Sequence, residues 1–477
     1  MNPLDDTRTK VVCTMGPASW GAETLREMVL AGMDVARINL AHGRHEEHAR
    51  TIAKVRHAAR EESSNVAIMA DLQGPKHRIG RLADGTKMLS QGDEVVLLLG
   101  VEAGSAAEIP VLDPAPLAHL RAGSTILLGD GTVMLEALEA TSEQIRCVVA
   151  HGGRITSHQG IRAVQRGGSP RLAALSDKDR EDLTFALEQG VDIVALSFVG
   201  CADDVVSLRR LIASKAPGDG SPAVLAKIER QSAVDELDAI LGAADAVMVA
   251  RGDLGIEIAP ERVPFCQKEI IAHSRRAAVP VITATQMLLS MVDHPQPTRA
   301  EASDVANAVL DGTDAVMLSE ETAIGKHPVD AVRMMGRIVR IAEDRCTGTD
   351  DMSRSPGPPT TTDAVSDAAA ALADELGVKL IAAATHSGYT ARRVARARPR
   401  APILALTPDA RIARRLALTW GVHPLHVPGY ETVEEMIDVV RSSLHTAGLV
   451  EPGDTILITG GYPFGEGQSN LLKVQQM

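Results

Sequence analysis

Aromatic residues are nearly absent from this chain: four Phe, three Tyr and two Trp make up 2% of 477 residues. A core must therefore be built from Ala, Val, Leu, Ile and Met, within an apolar fraction of 45% that is ordinary for a globular protein. Cysteine is scarce as well. The five cysteines, at 13, 147, 201, 266 and 346, form no CxxC pair, which fits reduced thiols in a cytoplasmic protein better than a disulfide frame. Long hydrophobic runs are missing, and the apolar stretches are strand-length, such as Val95 to Leu99. No segment is expected to span a bilayer. Met1 to Lys10 carries both charge signs and no apolar block, unlike a signal peptide. Positive charge is in deficit too. A net charge of −13 argues against nucleic acid as a main partner, whose backbone needs a basic face, although a small phosphorylated ligand needs only a few local cations.

One local pattern recurs: an amphipathic segment, a Gly or Ala turn, an Asp, then a short apolar run. It ends in Gly32-Met33-Asp34-Val35, Gly190-Val191-Asp192-Ile193, Ala243-Ala244-Asp245-Ala246 and Gly312-Thr313-Asp314-Ala315. The runs do not alternate, as expected of parallel strands buried on both faces and separated by helices. Eight such runs lie near Lys10–Thr14, Val35–Asn39, Ala67–Asp71, Val191–Ser197, Ala223–Glu229, Ala246–Arg251, Val281–Thr285 and Ala315–Ser319. Eight is the count of a closed (β/α)₈ TIM barrel, an α/β fold. Ser176 with Asp179, and Thr298 with Glu301, predict capped helix starts.

Barrel sequence is expected over 1–76 and 168–346. Between these, 77–167 has turn pairs such as Asp84-Gly85 and Gly92-Asp93 between short, partly alternating runs. It predicts a small inserted β domain, a β-barrel lid. Residues 347–360, rich in Ser, Gly, Asp and Pro, predict a linker. Residues 361–477 predict a C-terminal α/β domain with strands near Leu380–Thr385, Ile403–Thr407, Val422–His426 and Ile456–Thr459.

Working groups of such barrels sit at the C-terminal strand ends. Here those ends carry Arg37 and Asn39, Asp71, Ser197, Lys227 and Glu229, Arg251 and Asp253, Thr285, and Ser319. Glu229 and Asp253 end adjacent strands and could hold one hard cation through oxygen. Arg37, Arg78 and Lys227 add positive charge suited to a substrate with phosphate and carboxylate groups. Two carboxylates, a divalent ion and several cations are what phosphoryl transfer requires. No GxxxxGK[ST] loop is present, which argues against a P-loop enzyme. Farther on, Thr385-His386-Ser387-Gly388-Tyr389-Thr390 follows an apolar strand and opens a helix, a pattern suited to phosphate.

Several long segments resemble the pyruvate kinases from end to end. They include Thr9-Lys10-Val11-Val12-Cys13-Thr14-Met15-Gly16-Pro17, Met33-Asp34-Val35-Ala36-Arg37-Ile38-Asn39 and Lys227-Ile228-Glu229. Met248-Val249-Ala250-Arg251-Gly252-Asp253-Leu254-Gly255, Ala284-Thr285-Gln286-Met287 and Asp311-Gly312-Thr313-Asp314-Ala315-Val316-Met317-Leu318-Ser319 continue the likeness. The resemblance implies transfer of a phosphoryl group from phosphoenolpyruvate to ADP, giving pyruvate and ATP in glycolysis. By position it implies that Lys227 neutralises the phosphoryl group and that Glu229 and Asp253 bind Mg²⁺ (or Mn²⁺). Arg37 would bind phosphate, the backbone of Ala250, Arg251, Gly252 and Asp253 would hold the substrate carboxylate, and Thr285, with Ser319 behind it, would lie where the enolate of pyruvate is protonated. Thr14, Pro17, Asn39, His42 and Arg78 fall where the family binds nucleotide. Thr385, Ser387, Gly388 and Thr390 match an effector-phosphate loop, and a homotetramer is implied.

The chain departs from the family pattern at three places. Gln159 stands where the lid usually carries a lysine, and Ser319-Glu320-Glu321 replaces a usual Ser-Gly-Glu. At the K⁺ site, Asn39 and Asp71 remain, but Ala41 and Leu72 replace Ser and Thr, and Lys76 replaces a Glu. Lys76 is expected to act with Asp71 as a K⁺ surrogate, so that no K⁺ is needed. A barrel lyase or aldolase acting on a pyruvate enolate would also need a Glu–Asp metal pair, though the inserted lid disfavours it. A non-catalytic sensor is the other alternative, and the intact Lys227, Glu229, Asp253 and Thr285 speak against it.

Overall fold

The structure, a computed structural model, describes residues 7–75, 77–105, 108–117, 119–129, 131–164, 175–216, 221–345, 360–464 and 469–477. Lys76, Cys346 and all but the last residue of the expected linker lie outside the described residues. Strands β1 (Lys10–Thr14), β2 (Val35–Asn39) and β3 (Ala67–Asp71) come first. The next eight are β4 (Thr86–Leu89), β5 (Glu94–Leu99), β6 (Glu108–Val111), β7 (Thr125–Leu128), β8 (Val133–Ala140), β9 (Gln144–His151), β10 (Gly153–Thr156) and β11 (Ile161–Val164). Then follow β12 (Ile193–Leu196), β13 (Ala223–Ile228), β14 (Ala246–Ala250), β15 (Val281–Ala284) and β16 (Ala315–Leu318).

Strands β1–β3 and β12–β16 close into a parallel barrel in the order β1-β16-β15-β14-β13-β12-β3-β2. This is the expected TIM barrel. Strands β4–β11 form a six-stranded sheet, β11-β7-β8-β9-β5-β6, and a pair, β10-β4, around a core that includes Leu97, Ile126 and Leu135. Burial alternates along Gln144–His151, as a strand with one covered face requires. The C-terminal sheet runs β19 (Val422–His426), β18 (Ile403–Thr407), β17 (Ile381–Ala384), β20 (Thr455–Gly460), β21 (Leu471–Gln476). The last strand was not foreseen. It is antiparallel to β20 and mixes polar with apolar residues, so it lacks the solid apolar run that marks its neighbours.

The recurring Asp has a structural explanation. Each of the four stands just before a strand and turns its carboxylate sideways to the neighbouring strand's first turn of backbone. Asp34 accepts from the Val11 amide (2.8 Å), Asp192 from Ile68 (2.8 Å), Asp245 from Val224 (2.8 Å) and Asp314 from Val281 (3.0 Å). These carboxylates bolt β1 to β2, β3 to β12, β13 to β14 and β15 to β16, pinning register at the barrel floor. Two of them also anchor the C-terminal domain: Arg414 pairs with Asp192 at 2.7 Å and Arg398 with Asp314 at 3.1 Å. The barrel's interior cluster, with Val12, Met69, Leu225 and Met317, is completed from below by Ala417 and Leu418.

His423, on β19, is 8% exposed, and burial beside Lys10 and Arg8 pushes its pKa down to about 3. The unfolded chain takes up this proton below about pH 6.5, whereas the folded chain does not. Stability is therefore lost as pH falls from about 6.5 toward the depressed value. Between pH 6.5 and 5 the loss from this one group approaches about 2 kcal/mol. Urea unfolding at pH 7.5 and pH 5 should show a correspondingly smaller pH penalty in His423→Gln than in wild type.

Candidate active site

The polar residues expected to end the strands mostly lie one residue beyond them. Ser197, Glu229, Arg251, Thr285 and Ser319 each follow the last ladder position. The ladder demands extended backbone, and the site residues depart from it: Phe198 and Thr285 have φ of 55° and 70°. A positive φ in a β-branched residue costs free energy that the surrounding structure must offset.

Asp71 ends β3 and is 1% exposed. Arg37 donates to its Oδ2 through Nε (2.7 Å) and to Thr14 Oγ1 through Nη1 (2.9 Å); Thr14 in turn donates to the Leu318 carbonyl. From the other side, Lys227 Nζ lies 3.3 Å from Asp71 Oδ1, 3.0 Å from Glu229 Oε1 and 2.8 Å from Ser197 Oγ. The Ser197 hydroxyl in turn donates to the Leu72 carbonyl. Burial alone would raise the Asp71 pKa, but Lys227 and Arg37 outweigh it and hold the carboxyl below its usual range. Burial works against the Lys227 charge, and Asp71 and Glu229 prevail, raising its pKa. The ammonium is thus buried, charged and fixed.

Glu229 Oε2 accepts the Phe198 amide at 2.7 Å. Its Oε1 is buried and, among the described residues, meets only the Lys227 ammonium, in poor hydrogen-bond alignment. Burial, and Asp253 nearby, push the Glu229 pKa up, with Lys227 opposing. An under-satisfied buried carboxylate oxygen beside a second carboxylate suits a hard cation. Among the described residues no group of three or more His, Cys, Asp or Glu could hold a metal, so the remaining ligands would come from substrate and water. Gly74 permits this packing. It has φ of 70°, and a Cβ there would lie 2.8 Å from the Phe198 ring and 2.9 Å from Ser197 Cβ.

Asp253 lies in the first turn of the helix Arg251–Glu257, which starts where β14 ends at Ala250. The Gly252 amide donates to Thr285 Oγ1 at 2.9 Å, joining two expected substrate residues. Arg251 turns away: its guanidinium holds Asp304 and the carbonyls of Ala284 and Thr285, so only its backbone faces the mouth. Asn39 Oδ1 accepts from Ala41. Pro17 opens a short turn after Gly16, where a Cβ would sit 2.5 Å from the Ala323 carbonyl oxygen. His42 receives the His48 ring at its carbonyl. Arg78 is not gathered with Arg37 and Lys227; it donates to the His158 carbonyl in the inserted domain. In the C-terminal loop, Thr385 Oγ1 accepts the Gly388 amide and Thr390 shares a hydrogen bond with Ser469, leaving Ser387 half-buried at the edge.

Glu321 was overlooked as a site residue. Fully buried, it accepts from the Ser319 amide (2.7 Å) and the Leu288 amide (3.0 Å), tying the loops after β15 and β16 together. Its sequence signal is the Glu that Ser319-Glu320-Glu321 shares with the family's usual Ser-Gly-Glu.

A parallel barrel whose mouth holds a buried, charged lysine between carboxylates defines an enzyme for a small anionic substrate. Residues 6–332 match the family described as "Pyruvate kinase, barrel domain", and 363–475 match "Pyruvate kinase, alpha/beta domain". Relatives named pyruvate kinase include one from Geobacillus stearothermophilus, 43% identical over 98% of this chain and 80% of its own length. Another, from Mycobacterium tuberculosis, is 42% identical over 98% of both chains. The crystal structure of a pyruvate kinase from Cryptosporidium parvum superposes with a TM-score of 0.89 at 35% identity, covering 98% of this chain and 96% of that one. The chain belongs to the pyruvate kinase family and is a phosphotransferase.

Replacing Glu321 by Ala leaves two buried amides without an acceptor, at a cost of about 1–3 kcal/mol each. Glu321→Ala should unfold at lower denaturant and lose turnover more than substrate affinity, because it loosens Ser319 and the Thr285 loop together. Steady-state kinetics alongside urea titration would check both.

Proposed function

We propose that the barrel mouth transfers the phosphoryl group of phosphoenolpyruvate to ADP, with Mg²⁺ (or Mn²⁺) held by Glu229 and Asp253, and without K⁺. Family membership implies phosphoenolpyruvate, ADP, ATP and pyruvate as substrates and products. The observation that carries the proposal is the Lys227 ammonium, buried and held between Asp71, Glu229 and Ser197. A charge fixed before substrate arrives costs no reorganisation as negative charge moves onto the transferring oxygens. Arg37, braced by Asp71 and Thr14, would bind the phosphoryl group from the other side. The bound divalent ion would supply charge neutralisation on substrate oxygens. Gly252 and its neighbours would take the carboxylate, exchanging the Thr285 hydroxyl for substrate. Thr285 keeps its own hydroxyl proton while accepting from Gly252, and so can serve the protonation that converts enolate to pyruvate. Thr14, Pro17, Asn39, His42 and Arg78 would line the nucleotide side, Arg78 arriving with the inserted domain, 77–167, as a lid.

Independence from K⁺ is supported by the state of the two oxygen ligands that remain. Asp71 is shared between Arg37 and Lys227, and Asn39 Oδ1 is turned to the Ala41 amide. Leu72 is buried and offers no side-chain oxygen. Lys76 would add the missing positive charge, pairing with Asp71. The proposal extends to a cytoplasmic, glycolytic homotetramer activated by a phosphorylated metabolite at Thr385, Ser387, Gly388 and Thr390. A cavity of about 830 Å³ reaches Ser387 of that loop, and Arg392 and Arg415 line it together with the carboxylates of Asp245 and Asp409.

Two assays test the proposal. With K⁺ replaced by tetramethylammonium at equal ionic strength, wild-type activity should stay nearly full; strong activation by K⁺ would contradict the proposal. Asp253→Asn should cut turnover steeply and raise the Mg²⁺ requirement, whereas an unchanged Mg²⁺ titration would remove Asp253 from the metal site.

A further inference from the structure

The inserted domain returns to the barrel through β11, and one of its side chains reaches the candidate metal carboxylates. Arg162 Nη2 lies 3.7 Å from Asp253 Oδ1, while Nη1 lies 3.5 Å from Glu257 Oε1 and 3.4 Å from the Asp253 carbonyl. The guanidinium stacks 5.1 Å from the centre of the Phe198 ring, and the Phe198 amide is the donor that holds Glu229. Arg162 therefore touches one metal carboxylate directly and the support of the other. Gln159, three residues earlier, accepts the Thr156 amide and packs against Gly129. Arg162 is also fixed to the inserted sheet, since β11 pairs with β7 and places it opposite Leu127.

We propose that Arg162 is the resident counter-cation of Asp253 when no divalent ion is bound, and that the ion displaces it, so that metal loading unlatches the inserted domain from the barrel. The proposal rests on Glu229 and Asp253 being the metal ligands. Contacts of 3.5–3.7 Å with no side-chain hydrogen bond to either carboxylate make a loose pair, the kind a better ligand exchanges readily. The Asp253 side chain is 35% exposed, so an ion can approach it without unpacking the core. A divalent ion and a guanidinium at this spacing repel each other, and the ion, with twice the charge, competes for the same Asp253 oxygen. With Arg162 released from Asp253, only the Glu257 pair and the Phe198 stacking still tie β11 to the barrel, and the sheet behind it moves more readily over an incoming nucleotide. Arg162 is a positioning residue in this scheme: it acts through Asp253 rather than on the reacting atoms.

The test measures Mn²⁺ binding to the full chain without substrate, by electron paramagnetic resonance of free Mn²⁺, together with hydrogen exchange across residues 153–164. Arg162→Gln removes the competitor and should bind Mn²⁺ roughly two- to fivefold more tightly than wild type, the scale of a partly exposed ion pair. Arg162→Lys keeps a cation and should bind Mn²⁺ like wild type. In wild type Mn²⁺ should speed exchange in 153–164, while in Arg162→Gln exchange should start fast and stay so. Equal or weaker Mn²⁺ binding by Arg162→Gln, or exchange slowed by Mn²⁺ in both proteins, would overturn the proposal. Asp253→Asn separates the two layers: unchanged Mn²⁺ affinity there refutes the metal assignment itself, whereas weakened affinity there with a null result for Arg162→Gln refutes only the latch.

Discussion

Asp71 is buried between two cations from different strands, Arg37 on β2 and Lys227 on β13. A buried carboxylate without partners would be strongly disfavoured, and so would either buried cation. Each therefore supports the others. The same group that offsets Asp71's burial keeps Lys227 charged and aims Arg37 at Thr14. Because Asp71 sits on β3 between β2 and β12, it also joins the strand ends on both sides of the point where the inserted domain leaves the barrel. Substrate charge can then be met by groups already in place.

The floor of the barrel holds that arrangement steady. Asp34, Asp192, Asp245 and Asp314 bolt alternate strand pairs, and the C-terminal domain closes the interior from below with Ala417 and Leu418. Conserving register at one end of parallel strands fixes where side chains emerge at the other. Arg414 and Arg398 make the C-terminal domain part of the same framework.

Much of this was legible in sequence because parallel barrel strands are solid apolar runs, and these run lengths stand out against amphipathic helices. The capping boxes at Ser176 and Thr298 appear as expected. The recurring Asp was visible as a pattern, but its sideways bond to a neighbouring strand is a tertiary contact that no local spacing encodes. β21 was missed because its edge position lets polar residues alternate in. Lys227, Glu229, Asp71 and Arg37 do meet, as their strand-end positions implied. The inward turn of Arg251, the placement of Arg78 on His158 and the clamp made by Glu321 depend on rotamers and loop closure, which residue order does not reveal.

Asp71 organises the charges at the barrel mouth. Asp71→Asn keeps the shape of the side chain and removes its charge, and the rate of ATP formation from phosphoenolpyruvate and ADP reads the consequence directly. Turnover should fall by at least ~100-fold, the scale of losing one preorganised electrostatic element, in a protein whose circular dichroism is unchanged. Turnover within about threefold of wild type, a difference under ~1 kcal/mol, would contradict the account.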